Sequence, residues 1–150
     1  KGELVLFDLG VIYEGYCSDI TRTVAFGNID DESIRVYETV REAQEAAVLA
    51  SKPGMTCAEL DLTARNIIQQ AGYGDYFTHR LGHGLGISVH EYPSVNETNQ
   101  LVLKEGMVFT IEPGIYIPNQ VGVRIEDSVA ITKTGVEVLT KYPKNLIVLP

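Results

Sequence analysis

Two apolar runs in this chain end on an acid where a buried strand would finish. Leu4-Val5-Leu6-Phe7 stops at Asp8, and Met107-Val108-Phe109-Thr110-Ile111 stops at Glu112. An unpaired carboxylate taken out of water costs several kcal/mol, so such positions demand protonation, a salt bridge or a bound cation. With 12 Lys and Arg against 20 Asp and Glu, the chain has few cations of its own to spare, which leaves metal as the natural counter-charge. Asp19, His83 and Glu126 are further candidate metal ligands in equally unusual local sequences.

A chain of 150 residues with 45% apolar content can bury one core, so a single domain is expected. The net charge of -8 and the scattered basic residues argue against nucleic acid, whose phosphates need clustered Lys and Arg. Cys17 and Cys57 form no Cys-x-x-Cys pattern and read as free thiols of a reducing compartment. No apolar run reaches the ~18 residues needed to span a membrane, and a cytoplasmic protein is expected. The opening Lys1-Gly2-Glu3 runs straight into strand-like residues without a Met, which reads as a cut chain.

Leu4 to Asp8 and Val11 to Tyr13 flank Leu9-Gly10 and predict a hairpin, followed by a β-prone segment from Asp19 to Phe26. On that third strand the two-residue period places Asp19, Thr21 and Thr23 on one face, so the acid lies beside hydroxyls. Val36, Val40, Ala43, Ala47 and Ala50 then predict an amphipathic helix, with Asp31 as N-cap and Lys52-Pro53-Gly54 as terminator. Thr56-Cys57-Ala58-Glu59 has the form of a capping box before a second helix, whose buried stripe is Leu60, Ala64, Ile67 and Ala71. Strands resume at 107–113, 116–117, 121–131, 136–139 and 146–149. Strands, two helices and strands again suit an α+β domain, a curved antiparallel sheet with helices packed on it.

Each candidate ligand has an ordinary reading beside the chemical one. Asp8 before Leu9-Gly10 is also a turn-former, and Glu112 before Pro113-Gly114 an edge-strand acid. Arg124 and Glu126 on one strand face read as an adjacent salt pair, although Arg124 can equally orient a liganding carboxylate from behind. His79, His83 and His90 are the only histidines and fall within one short stretch. The glycines around His83 make a helix improbable, and Ile87-Ser88-Val89 looks like strand, which rejects a dinucleotide loop. Glycine on both sides of His83 lets the backbone pass close to another element. One imidazole and four carboxylates suit two hard or borderline divalent ions. Mn²⁺ fits first, with Co²⁺, Fe²⁺ or Zn²⁺ as alternatives.

Asp8-Leu9-Gly10, Ser18-Asp19-Ile20-Thr21-Arg22-Thr23, Gly82-His83-Gly84-Leu85-Gly86, Val89-His90-Glu91, Thr110-Ile111-Glu112-Pro113-Gly114 and Val123-Arg124-Ile125-Glu126-Asp127 resemble, in order, the motifs of the pita-bread metallopeptidases. The resemblance implies the pita-bread α+β fold, with helices on the outer face of the curved sheet. It also implies that Asp8, Asp19, His83, Glu112 and Glu126 are the five metal ligands. The short interval from Glu112 to Glu126 and the Ser-Asp-Ile-Thr-Arg-Thr run resemble the proline-specific branch, Xaa-Pro dipeptidase and aminopeptidase P. On that resemblance, residues 1–150 are the C-terminal part of a catalytic domain incomplete at its N-terminus.

The expected reaction is hydrolysis of the bond before proline in dipeptides or short peptides, with a proline-containing peptide as substrate. Glu112 is expected to accept and relay the proton, and His90 and His79 to hold substrate and stabilise the oxyanion. Aminopeptidase P action on longer peptides and a non-catalytic binding module are the alternatives. The opening strand resembles an interior one and is expected to leave an open edge, so homo-oligomerisation is expected too.

Overall fold

A computed structural model describes residues 1–150. In chain order the elements are β1 (Glu3–Leu9), β2 (Ile12–Tyr13), β3 (Tyr16–Cys17), β4 (Ile20–Phe26), α1 (Asp31–Ala50) and α2 (Cys57–Gln70), then β5 (Gly82–Gly84), β6 (Glu91–Val95), β7 (Val108–Ile111), β8 (Gly114–Ile117), β9 (Val121–Arg124), β10 (Asp127–Ile131), β11 (Val136–Val138) and β12 (Val148–Leu149). A three-stranded sheet runs β1-β4-β12 and a five-stranded one β11-β10-β7-β5-β6. Two ribbons, β2-β3 and β8-β9, complete the set.

The predicted hairpin between 4–8 and 11–13 does not form. β1 instead pairs antiparallel with β4 over seven residues, placing Asp8 opposite Thr21. Two strands of equal length offer a longer ladder than the short Val11–Tyr13 segment could. That segment turns back on Tyr16–Cys17 through Glu14 and Gly15, both at positive φ, the conformation of a two-residue type I′ turn. The pairing of β12 with β4 is parallel, a departure from an all-antiparallel sheet.

Helix α1 begins one residue earlier than predicted, because Asp30 and not Asp31 accepts the Ser33 amide at 2.7 Å. Helix α2 has the predicted capping box between Thr56 and Glu59. Its buried stripe is Cys57, Leu60, Asp61, Ala64 and Ile68; Ile67 is only partly buried and Ala71 is exposed. Val36, Val40, Ala43 and Ala47 of α1 pack with Leu60, Ala64, Phe109, Ile111 and Val129 in one buried cluster.

Two further corrections bear on the site. The stretch 121–131 is broken between Arg124 and Asp127, so Glu126 stands at a gap between β9 and β10. Ile87-Ser88-Val89 is not strand; the strand is Glu91–Val95. Strand β5 carries His83 between two glycines that are there for space. A Cβ on Gly82 would collide with the Thr110 carbonyl, and one on Gly84 with the Tyr92 carbonyl. Because backbone is the obstacle, Gly82→Ala is expected to destabilise the fold by about 1–3 kcal/mol, measured by urea denaturation.

Candidate metal centre

Strand β1 brings Asp8 to the mouth of an open cleft of about 410 Å³, and the start of β4 brings Asp19. Strand β5 contributes His83, the end of β7 Glu112, and the gap before β10 Glu126. All five line this cleft, together with His90. Asp19, His83 and Glu126 each offer a ligand atom within 4.8 Å of the others. His83 Nε2 stands 3.2 Å from Glu112 Oε1 and 3.7 Å from Asp19 Oδ2.

Each donor is aimed by a partner behind it. The His83 Nδ1 lies 3.0 Å from the Gly84 carbonyl, which holds the proton on that nitrogen and turns the Nε2 lone pair toward the acids. The Thr110 hydroxyl accepts the His83 amide at 3.1 Å and donates to Glu112 Oε1 at 3.0 Å. The Thr21 hydroxyl donates to Glu126 Oε2, and the Ser128 hydroxyl donates to the Asp19 carbonyl at 2.7 Å.

Arg124 sits between Asp8 and Glu112. Its Nη2 lies 2.5 Å from Asp8 Oδ2, its Nε 3.9 Å from Glu112 Oε2, and its Nη1 donates to the Tyr116 hydroxyl at 3.0 Å. The adjacent Arg124–Glu126 salt pair is therefore replaced by pairing with acids far away in sequence. The strand break turns Glu126 into the cleft beside Thr21 and leaves Arg124 facing β1. The chain does supply one cation of its own to the acidic cluster.

The three histidines separate. The His90 ring is exposed on the cleft rim, 4.3 Å between centroids from His83. His79 lies outside the cleft lining, edge-on to Phe77 and tilted on Tyr116, with its buried Nε2 unpartnered.

Crowding of like charge shows in the acids. Burial, then the Glu112 carboxylate, push Glu126 up to about 8, with Asp19 and Asp8 adding to the rise against the Thr21 hydrogen bond. Burial and then Asp8 raise Asp19. Burial also opposes charge on Glu112 and His83. Their mutual contact outweighs it, lowering the carboxyl and raising the imidazole. Burial holds His79 below the ordinary histidine range.

Sequence reading missed Thr110, Tyr116, Asp61 and Asp127. Thr110 carried a signal, being the lone hydroxyl in an apolar run two residues before Glu112. Asp61 carried none. Buried on α2, it accepts the Leu81 amide at 3.0 Å and pairs with Arg65, whose guanidinium also reaches the Phe77 and His79 carbonyls. This anchors the approach to β5.

The sequence pattern of Metallopeptidase family M24 matches residues 1–133. The chain is 64% identical over 149 residues to the putative dipeptidase YkvY of Bacillus subtilis, covering 99% of this chain and 41% of that protein. It is 58% identical over 148 residues to the Xaa-Pro dipeptidase of Lactobacillus helveticus, covering 99% and 40%. Prolidase from Pyrococcus furiosus superposes with a TM-score of 0.94 at 56% identity, over 95% of this chain and 42% of that one. The chain thus spans about two-fifths of the length of these relatives.

A carboxyl whose folded value lies above its unfolded one binds more protons folded, so stability falls as pH rises. For Glu126 the loss runs from about 4.5 up through about 8. Metal-free protein is expected to melt at lower temperature at pH 8 than at pH 6, and Mn²⁺ to remove most of that difference. Calorimetry at the two pH values, with and without Mn²⁺, checks this.

Proposed function

We propose that this chain, which belongs to metallopeptidase family M24 and has the pita-bread fold, is part of the catalytic domain of a dinuclear-metal Xaa-Pro dipeptidase. The observation that carries the reading is the meeting of Asp8, Asp19, His83, Glu112 and Glu126 in one cleft. The likeness to proteins named Xaa-Pro dipeptidase and prolidase supports a peptide substrate with proline after the scissile bond. The donor set, one imidazole and four carboxylates, fits Mn²⁺ first, then Co²⁺, Fe²⁺ or Zn²⁺. When bound, two such ions polarise the scissile carbonyl and make water a nucleophile near neutral pH.

The chain's own residues do the rest. His83 presents Nε2 to the ions because its other nitrogen is tied to Gly84. Glu112, steadied by Thr110, takes the proton from the attacking water and passes it to the leaving amine. His90 on the rim holds substrate and stabilises the oxyanion. We do not assign His79 that role, because it lies outside the cleft lining and its Nε2 is buried. Arg124 fixes Asp8.

Two accompanying assignments rest on this reading. Strand β1 is an edge of its sheet, and Val5, Phe7 and Leu9 are exposed along it, which supports pairing of this chain with a second copy or with a companion segment. The free thiols Cys17 and Cys57 support a cytoplasmic location, and no helix is long and apolar enough to cross a membrane.

Full-length protein is expected to cleave Xaa-Pro dipeptides faster than longer Xaa-Pro peptides, to lose activity on chelation, and to regain it with Mn²⁺. Faster cleavage of longer peptides would assign aminopeptidase P instead, and no hydrolysis with metal bound would leave a binding module. Glu112→Gln is expected to lower kcat by about 10²–10⁴-fold. Metal content measured on the same samples must stay near normal, and a near-normal kcat with normal loading excludes the relay.

A further inference from the structure

Behind Glu126, on the side away from the cleft, lies a buried charged cluster to which no chemistry has been attached. Asp127 is fully buried, and both its oxygens are saturated. Oδ1 accepts from Arg22 Nη2 at 2.7 Å and from the Thr140 hydroxyl at 2.7 Å. Oδ2 accepts from Gln44 Nε2 at 2.9 Å and from Lys144 Nζ at 2.9 Å. Arg22, itself buried, reaches three ways from this point. It donates to the backbone carbonyl of Glu126, to the carbonyl of its own neighbour Thr21, and to the carbonyls of Tyr142 and Pro143.

The segment Leu139–Lys144 therefore lies across the back of the centre as a strap. Its first residue donates its amide to the Ser128 carbonyl at 2.9 Å. The Thr140 hydroxyl accepts the Ser128 amide at 3.2 Å while donating to Asp127. At its far end the Tyr37 hydroxyl of α1 holds the Lys144 carbonyl at 3.1 Å. Glu126 stands at the gap between β9 and β10, where regular ladder bonds do not fix it. Its amide is held by the Thr21 carbonyl at 3.1 Å, and its carbonyl by Arg22.

We propose that Lys144 and Thr140 are positioning residues for the metal centre. Through Asp127 and Arg22 they fix the backbone of Glu126, and through Ser128 the carbonyl of Asp19, so that the strap sets metal affinity from outside the cleft. The inference rests on the metal-binding reading above. Two like cations on one carboxylate are needed because Arg22 alone is shared among four other acceptors. Lys144 adds a second positive charge to Asp127 while Arg22 Nη1 donates to the Glu126 carbonyl. Removing Lys144 still leaves Asp127 with Arg22, Gln44 and Thr140, and the Lys144 side chain is one-fifth exposed, so the variant keeps its fold.

The test measures Mn²⁺ binding alone, by calorimetric titration of metal-stripped full-length protein, at a temperature where near-ultraviolet circular dichroism shows every variant folded. Lys144→Met is expected to weaken Mn²⁺ binding about fivefold, less than the roughly 10- to 100-fold cost usual for groups that touch a ligand directly. Lys144→Arg should stay within about twofold of the parent, restoring the charge that a purely steric role would not need. Thr140→Val gives a second comparison should Lys144→Met not fold, with a loss expected in the same direction. A strap that only stabilises the fold would lower the melting temperature in Lys144→Met and Thr140→Val and leave their Mn²⁺ affinity unchanged, which overturns the inference and leaves the metal-binding reading intact. A parent protein that binds no Mn²⁺, Co²⁺, Fe²⁺ or Zn²⁺ overturns both.

Discussion

The bridge between Thr21 and Glu126 joins segments 105 residues apart, and the candidate centre depends on it. On either side the same two segments exchange further bonds. Ser128 reaches the Asp19 carbonyl, Arg22 pairs with Asp127, and the Thr23 hydroxyl donates to the Arg124 carbonyl at 2.9 Å. Two acids that repel are thereby held at fixed positions by groups whose bonds do not consume their charge. Without such a lock, mutual repulsion among these acids would open the cleft, since Asp19, Glu112 and Glu126, unlike the exposed Asp8, lack much of the water that normally screens a carboxylate. Hydroxyls suit the task because they donate to a carboxylate without neutralising it, which keeps the acids available to a cation.

Arg124 shows how the chain handles that repulsion by itself. One guanidinium pairs with Asp8 on β1 and stands near Glu112 on β7, so it spans the mouth of the cleft. It leaves Asp19 and Glu126 deeper inside with no Lys or Arg side chain in salt-bridge contact, and those are the acids whose carboxyls are raised. A divalent cation placed among Asp19, His83 and Glu126 would meet the charge that Arg124 does not reach. The deep acids and the arginine are thus complementary, one set awaiting a cation and the other bracing the rim.

Much of this was legible in the sequence because burial and polarity were in open conflict. An acid ending a buried apolar run, as at Glu112, signals its own compensation, whereas the run ending at Asp8 is largely exposed, and the two-residue period correctly set Thr21 on the face that reaches Glu126. The glycines beside His83 foretold a close backbone approach, which Gly82 and Gly84 make against Thr110 and Tyr92. What stayed hidden depends on pairing between distant segments. The choice of β4 over β2 as partner for β1 follows from ladder length, which local turn signals do not report. Asp127 follows Glu126 directly, so period alone sends it to the opposite face, and nothing nearby announces Arg22 or Lys144 as its partners. The histidine cluster read as one site, yet the chain passing through Arg80 and Leu81 turns His79 away against Phe77 and Tyr116.

Anomalous scattering at the metal edge, from crystals of the full-length protein grown with Mn²⁺, tests the central claim most directly. The account requires anomalous density in the cleft, with oxygen atoms of Asp8, Asp19, Glu112 and Glu126 and the Nε2 of His83 as ligands. An ion held elsewhere, or a cleft without anomalous density while Mn²⁺ saturates the protein in solution, would contradict it.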